Sequence, residues 1–164
     1  MIDMVKNASY IPAVTFADIF EAAGEAVGAR TDTVGLKVGL ARRSSSVYGD
    51  ASLFIAESRQ EVHIVLPLHE MEWKKGGRRN TVESTSHGKA LMVYSLCAHE
   101  MSHVRDYQEG VFDDSDENNG LRRAKWELRP QEIRAEDRAD AALANMSEKA
   151  ECAVRALALE IEKW

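Results

Sequence analysis

The sequence lacks most of the features that mark membrane, secreted or disulfide-stabilised proteins. It has only two cysteines, too few for a disulfide framework, so both are expected to be free thiols in a reducing compartment. No apolar run reaches the roughly 18 residues that a membrane-spanning helix needs. The N-terminus has neither the basic start nor the long apolar segment of a secretory signal. These absences predict a soluble, cytoplasmic protein with no membrane partner.

Basic residues are also in deficit. The chain carries 21 lysines and arginines against 27 aspartates and glutamates, which gives a net charge of −6. Because a nucleic-acid-binding protein usually presents a basic face, we expect no nucleic-acid partner. The one basic cluster, at residues 74–79, is interpreted as a solvated loop. The length of 164 residues fits one compact domain over residues 1–164.

The most informative motif in the chain is the HExxH pattern formed by His99, Glu100 and His103. On an α-helix, residues four apart lie one turn apart on the same face, so both imidazoles can bind one metal ion. Glu100 lies beside that face, where its carboxylate can act as a general base toward a water on the ion. The motif therefore predicts a metal centre with hydrolytic chemistry.

The surroundings of the motif predict a buried helix over residues 87–110. An almost continuous apolar run extends from Leu91 to Ala98, and a helix that is apolar nearly all round belongs in a core. Gly110 is a natural helix stop. Histidines on such a helix need partners, which favours a metal site over incidental histidines.

A third ligand is needed, because catalytic zinc sites usually have three protein ligands and leave the fourth position for water. Glu132 and Glu136 are four residues apart on the apolar face of the final predicted helix. A charged residue on a core-facing surface is costly unless it is paired or bound to metal. Glu109 is a weaker candidate, because a ligand six residues after His103 would need a glycine midway and Asp106 stands there. Glu132 and Glu136 therefore remain alternative third ligands.

The stretches HEMSHVRDYQEG and RPQEIRAEDRADA resemble the zincin metallopeptidases, which pair an HExxH helix with a glutamate on a downstream helix. Within that group the chain is most similar to the ImmA/IrrE-type and the phage- or plasmid-borne metallopeptidase domains, over about residues 50–143. Their later motif, E-x-x-A-x-x-x-A, would make Glu132 the metal ligand. The thermolysin-like pattern E-x-x-x-D instead matches Glu136, with Asp140 supporting a ligand histidine. The Arg-Pro lead-in places Glu132 at the helix start and favours the first register.

The resemblance implies an α+β fold of the zincin type. A small twisted sheet would cover the HExxH helix, and a long C-terminal helix would complete the domain. Glu61–Leu68 would be the edge strand along the cleft, where an extended peptide can add to the sheet through main-chain hydrogen bonds. The expected partner is accordingly a protein or peptide substrate.

The resemblance also implies a zinc metallopeptidase. His99, His103 and Glu132 would hold Zn²⁺, and Glu100 would take a proton from the attacking water and deliver it to the leaving amine. The oxyanion-stabilising group stays open among three residues: Tyr107, His69 and His87.

Two other functions fit the same motif. In one, the domain keeps the metal site but uses its cleft to hold a protein partner, for instance a regulator in a phage–host conflict. In the other, the metal is purely structural. The presence of Glu100 speaks against a structural site, because such a site needs no general base and usually closes with four protein ligands.

Periodicity predicts the remaining elements. Residues 1–14 are interpreted as a lead-in without assigned structure. The expected elements are a helix over Phe16–Val27 capped by Thr15 or Asp18, a strand over residues 33–41, a hairpin of Ala51–Glu57 with Glu61–Leu68, and one long helix from Pro130 through most of the remaining chain.

Overall fold

The structure is a computed structural model, and it describes residues 2–40, 49–50, 60–66, 85–111 and 129–163. Four strands and four helices lie in these ranges, and they give the α+β fold that the sequence predicts. In chain order they are β1 (Asp3–Asn7), α1 (Ala13–Val27), β2 (Val34–Leu40), β3 (Gly49–Asp50), β4 (Gln60–Leu66), α2 (Ser86–Gln108), α3 (Pro130–Ala144) and α4 (Glu148–Glu162).

The strands form one sheet in the order β1-β2-β4-β3. The first three strands of that order are parallel, and β3 is antiparallel to β4. The predicted edge position of Glu61–Leu68 is therefore wrong, because β4 lies between β2 and β3. Asp50 of β3 pairs with His63 of β4, as in a hairpin, and the predicted strand Ala51–Glu57 lies outside the described residues.

The sheet has one buried and one polar face. In β2 the side chains of Val34, Leu36 and Val38 belong to the core, as period-two alternation requires. Between them Lys37 projects to the other face and forms an ion pair with Glu61 of β4. The helices α1 and α2 contribute to the same core as the apolar strand residues.

The N-terminal part of the chain differs from the prediction. The lead-in contains β1, which pairs in parallel with β2 and buries Ile2 just before it. The helix α1 begins at Ala13, so Thr15 and Asp18 lie within it and cap nothing. The far end agrees with the sequence, because Gly28 follows the last turn with a φ of 76°.

The HExxH helix α2 contacts α1 closely at two positions along its length. A Cβ added to Gly24 of α1 would meet Thr31 Cγ2 at 2.5 Å and Met101 Cε at 2.9 Å, so only glycine permits this approach. At the end of α1, Arg105 Nη1 donates to the carbonyl oxygen of Val27 over 3.0 Å. These contacts hold the helix from behind, away from the face that carries the histidines.

The predicted long C-terminal helix is two helices. The first, α3, ends at Ala144, and α4 begins at Glu148 after Ser147, whose hydroxyl accepts a hydrogen bond from the Ala150 N–H over 3.2 Å. The break was not visible in the apolar periodicity because Leu143, Met146 and Ala150 continue the same spacing across it. Two residues typical of helix caps, Asn145 and Ser147, are the signal that marks it.

Both cysteines are free thiols, as the sequence predicts. Cys97 is buried in α2 and Cys152 is exposed on α4. Burial raises the pKa of the Cys97 thiol far above its usual range, and the nearby charge of Glu100 adds to the shift. In the described part of the chain, no helix combines the length and the apolarity that crossing a membrane requires.

Candidate metal centre

The helix α2 presents both motif histidines on the side that faces α3. Its N-terminus is capped by Thr85, whose hydroxyl accepts a hydrogen bond from the Gly88 N–H over 3.0 Å. Its interior carries the motif, and the Nε2 atoms of His99 and His103 lie 3.2 Å apart. The helical spacing therefore brings the two imidazoles together as predicted.

The helix α3 brings Glu132 to the same point. The Oε2 atom of Glu132 lies 3.1 Å from His99 Nε2 and 3.3 Å from His103 Nε2. Pro130 occupies the first turn of α3, as expected, and Glu132 follows in the same turn. These three side chains form a group whose ligand atoms all lie within 4.8 Å of one another.

The separations of the three candidate ligand atoms are close to those around a zinc ion. Zinc bonds to nitrogen and oxygen are about 2.0–2.1 Å long, so the corners of its coordination tetrahedron lie about 3.3–3.4 Å apart. The His99, His103 and Glu132 atoms form a triangle with sides of 3.1, 3.2 and 3.3 Å. Two neutral imidazoles and one carboxylate are also a donor set that catalytic zinc uses. The residues present therefore fit the predicted ion.

Glu136 occupies the next position outward. Its Oε1 atom lies 3.1 Å from His99 Nδ1, the ring nitrogen opposite the one that meets Glu132. A carboxylate this close to Nδ1 favours a proton on that nitrogen, which leaves the Nε2 lone pair for an ion. The two glutamates that the sequence left as alternatives thus occupy different positions. Glu132 contacts the Nε2 atoms of both histidines, whereas Glu136 contacts Nδ1 of His99.

Glu100 is buried on α2, and only 5% of the residue is exposed. Burial lowers the pKa of His99, but the hydrogen bonds with Glu132 and Glu136 and the charge of Glu100 outweigh it, so the pKa is raised well above its usual value. Burial raises the pKa of Glu132, but its hydrogen bonds with His103 and His99 reverse this and lower it. The same negative surroundings that hold a proton on His99 attract a divalent cation.

The three side chains of the cluster differ in exposure. Those of His99 and Glu132 are 8% and 12% exposed, whereas that of His103 is 19% exposed. His103 is therefore the most exposed member of the group. Partial exposure is compatible with a metal site that keeps one ligand position for water.

The other candidate residues are placed as follows. Glu109 is exposed beyond the end of α2, and its Oε1 atom accepts from Arg105 Nε over 2.8 Å, so its carboxylate is engaged outside the cluster. Tyr107 lies one helical turn beyond His103 on the same face. His87 lies 12 residues before His99 on α2, about 18 Å along the axis, which is too far to stabilise an oxyanion there. His69 lies outside the described residues.

Comparison of the chain with protein-family models, with curated proteins and with solved structures found no match. The resemblance to the zincins therefore stays a prediction from the quoted motifs. The assignment of the site depends on the geometry of this chain.

Proposed function

We propose that this protein is a zinc-dependent metallopeptidase whose ion is held by His99, His103 and Glu132. The triangle of ligand atoms formed by these three residues is the observation that carries the proposal, because it has the size of one face of a zinc coordination tetrahedron. Zinc bound there would supply Lewis-acid polarisation of a peptide carbonyl and would lower the pKa of water.

The protein's own residues then have distinct tasks. Glu100 takes the proton from the attacking water and delivers it to the leaving amine. Its burial supports this role, because desolvation disfavours the charged carboxylate and so makes it a stronger base. Glu136 keeps His99 in the tautomer that binds through Nε2.

The proposed substrate is a protein or peptide in an extended conformation. Since β4 is internal, an added peptide strand cannot pair at His63 and Ile64, which already pair with β3. Among the described strands, β3 is the edge strand that contacts α2. A peptide that pairs there would lie along the HExxH helix.

Metal content and chelator-dependent proteolysis test the proposal. Protein purified without added metal and without a nickel column should contain one zinc per chain by elemental analysis. It should cleave an unfolded protein substrate, lose this activity with a chelator and regain it with zinc.

The two possible failures are distinguishable. A folded, metal-free preparation that cannot take up zinc would overturn the metal centre. One tightly bound zinc without hydrolysis of a broad peptide library would instead favour a module that holds a protein partner.

A further inference from the structure

A second charged cluster lies beside the metal centre, between the same two helices. Asp106 of α2 is buried, and it binds two arginines of α3. Arg134 donates through Nε to Asp106 Oδ2 over 3.0 Å, and Arg138 donates through Nη1 to Asp106 Oδ1 over 2.6 Å. Arg138 Nη1 also lies 3.3 Å from the carbonyl oxygen of Ser102. We call Asp106, Arg134 and Arg138 the arginine clamp.

The clamp and the metal centre share one spacing on α3. Glu132 and Glu136 are four residues apart, and so are Arg134 and Arg138. At 100° per residue the two glutamates lie on one side of the helix and the two arginines on another, with buried alanines between them. The residues of α3 that meet α2 therefore form two charged rows of opposite sign.

A shift of α3 by one turn has a different consequence for each row. If the helix moved by four residues, about 6 Å along its axis, Glu136 would replace Glu132 at the histidines, and a carboxylate would still be there. In the other row, Arg138 would replace Arg134, but Ala142 would stand where Arg138 had been. The row of glutamates would still place a carboxylate at the histidines after the shift, whereas Asp106 would lose one of its two arginines.

We propose that Asp106 is a positioning residue, which selects Glu132 over Glu136 as the metal ligand by fixing the register of α3 on α2. The inference rests on the proposed metal centre. Buried, doubly bonded ion pairs are demanding in geometry, so the clamp is the part of this interface that distinguishes the two registers. The metal ligands alone do not.

Zinc affinity and the visible spectrum of the cobalt-loaded protein test the inference. In the wild-type background, Glu132→Ala should weaken zinc binding far more than Glu136→Ala. In the Asp106→Asn background, the ratio of the two losses should fall by about tenfold or more, because either glutamate can then reach the histidines. The cobalt absorption bands of Asp106→Asn should shift, since they report the ligand geometry. A merely structural role would lower stability without changing that ratio.

Two further variants keep the test decisive if Asp106→Asn does not fold. Arg134→Gln and Arg138→Gln each leave Asp106 with one partner, and both arginines are partly exposed. Arg134→Gln leaves one arginine on Asp106 in either register, so it should lower the ratio as Asp106→Asn does. Arg138→Gln leaves Asp106 one arginine in the observed register and none in the shifted one, so it should leave the ratio unchanged. Lys149→Gln is the matched control, since it breaks an ion pair with Glu25 that joins α4 to α1. It should leave both the ratio and the cobalt spectrum unchanged.

The outcomes separate this inference from the proposed function. If the wild-type protein binds zinc tightly and the ratio stays the same in folded Asp106→Asn and Arg134→Gln, the positioning role is wrong and the metal centre stands. If the wild-type protein takes up neither zinc nor cobalt, the metal centre itself is overturned, and the positioning role falls with it.

Discussion

The interface between α2 and α3 contains two polar clusters that differ in charge balance. In the arginine clamp, one carboxylate forms ion pairs with two guanidinium groups. In the metal centre, Glu132 and Glu136 meet His99 and His103. With neutral imidazoles this second cluster has a net charge of −2, which one divalent cation would neutralise.

The difference shows which cluster is complete by itself. In the clamp each charged group contacts a protein group of opposite sign, although the two arginines outnumber the one carboxylate. The metal centre brings three lone-pair-bearing atoms within 3.3 Å of one another, an arrangement that needs a proton or a cation among them. The two clusters in this interface therefore act differently. The arginine clamp holds α2 and α3 together, and the metal centre provides a place for an ion.

Replacement of Glu132 should have the largest effect on the metal centre, and it should leave the arginine clamp intact. Glu132→Ala removes the carboxylate that meets both histidines, so tight zinc binding should be lost, well beyond the 10–100-fold that an outer hydrogen-bond partner costs. Competition with a chromophoric chelator measures the affinity. Glu109→Gln is the matched control, because that glutamate is exposed and paired with Arg105. Retention of full affinity in Glu132→Ala would contradict the assignment.

Replacement of Glu100 should separate chemistry from binding. Glu100→Gln keeps the shape of the side chain but removes the general base, so peptide hydrolysis should fall by about 10²–10⁴-fold while zinc affinity changes little. Rate measurements on zinc-loaded protein, alongside the metal content of the same samples, check both parts. Loss of zinc from this variant would mean that Glu100 is itself a ligand.

Replacement of Glu136 should have the smallest effect of the three. Glu136→Ala removes the carboxylate at His99 Nδ1, and the imidazole would lose a fixed tautomer but keep its Nε2 lone pair. We expect a loss of about 10–100-fold in affinity or activity. An effect as large as that of Glu132→Ala would mean that both glutamates bind the ion, or that the helix register differs from the one described.

Much of the metal centre could be predicted because it depends on local spacing. The i, i+4 separation of His99 and His103 is enough to place both on one side of a helix. The roles of Glu132 and Glu136 could not be separated in this way, since both satisfy the same spacing. Their difference comes from the position of α3 along α2, which is a tertiary property. Nothing in the sequence pattern indicated that Asp106 would pair with arginines of α3.

The fold shows the same division between local and tertiary information. Apolar spacing identified the buried side of α1 and the alternation in β2, because each pattern depends on residues close in sequence. It could not place β4 within the sheet, since strand order depends on partners far along the chain. It also missed β1, whose short alternation around Ile2 and Met4 becomes informative only beside β2.

The close contact at Gly24 makes the spacing between α1 and α2 depend on the absence of a side chain. A Cβ at position 24 would meet Thr31 Cγ2 at 2.5 Å and the flexible end of the Met101 side chain of α2 at 2.9 Å. A functional site tolerates displacements of roughly 0.5 Å. Any larger displacement of α2 that a side chain at position 24 imposed would therefore exceed the tolerance of a site one helix away.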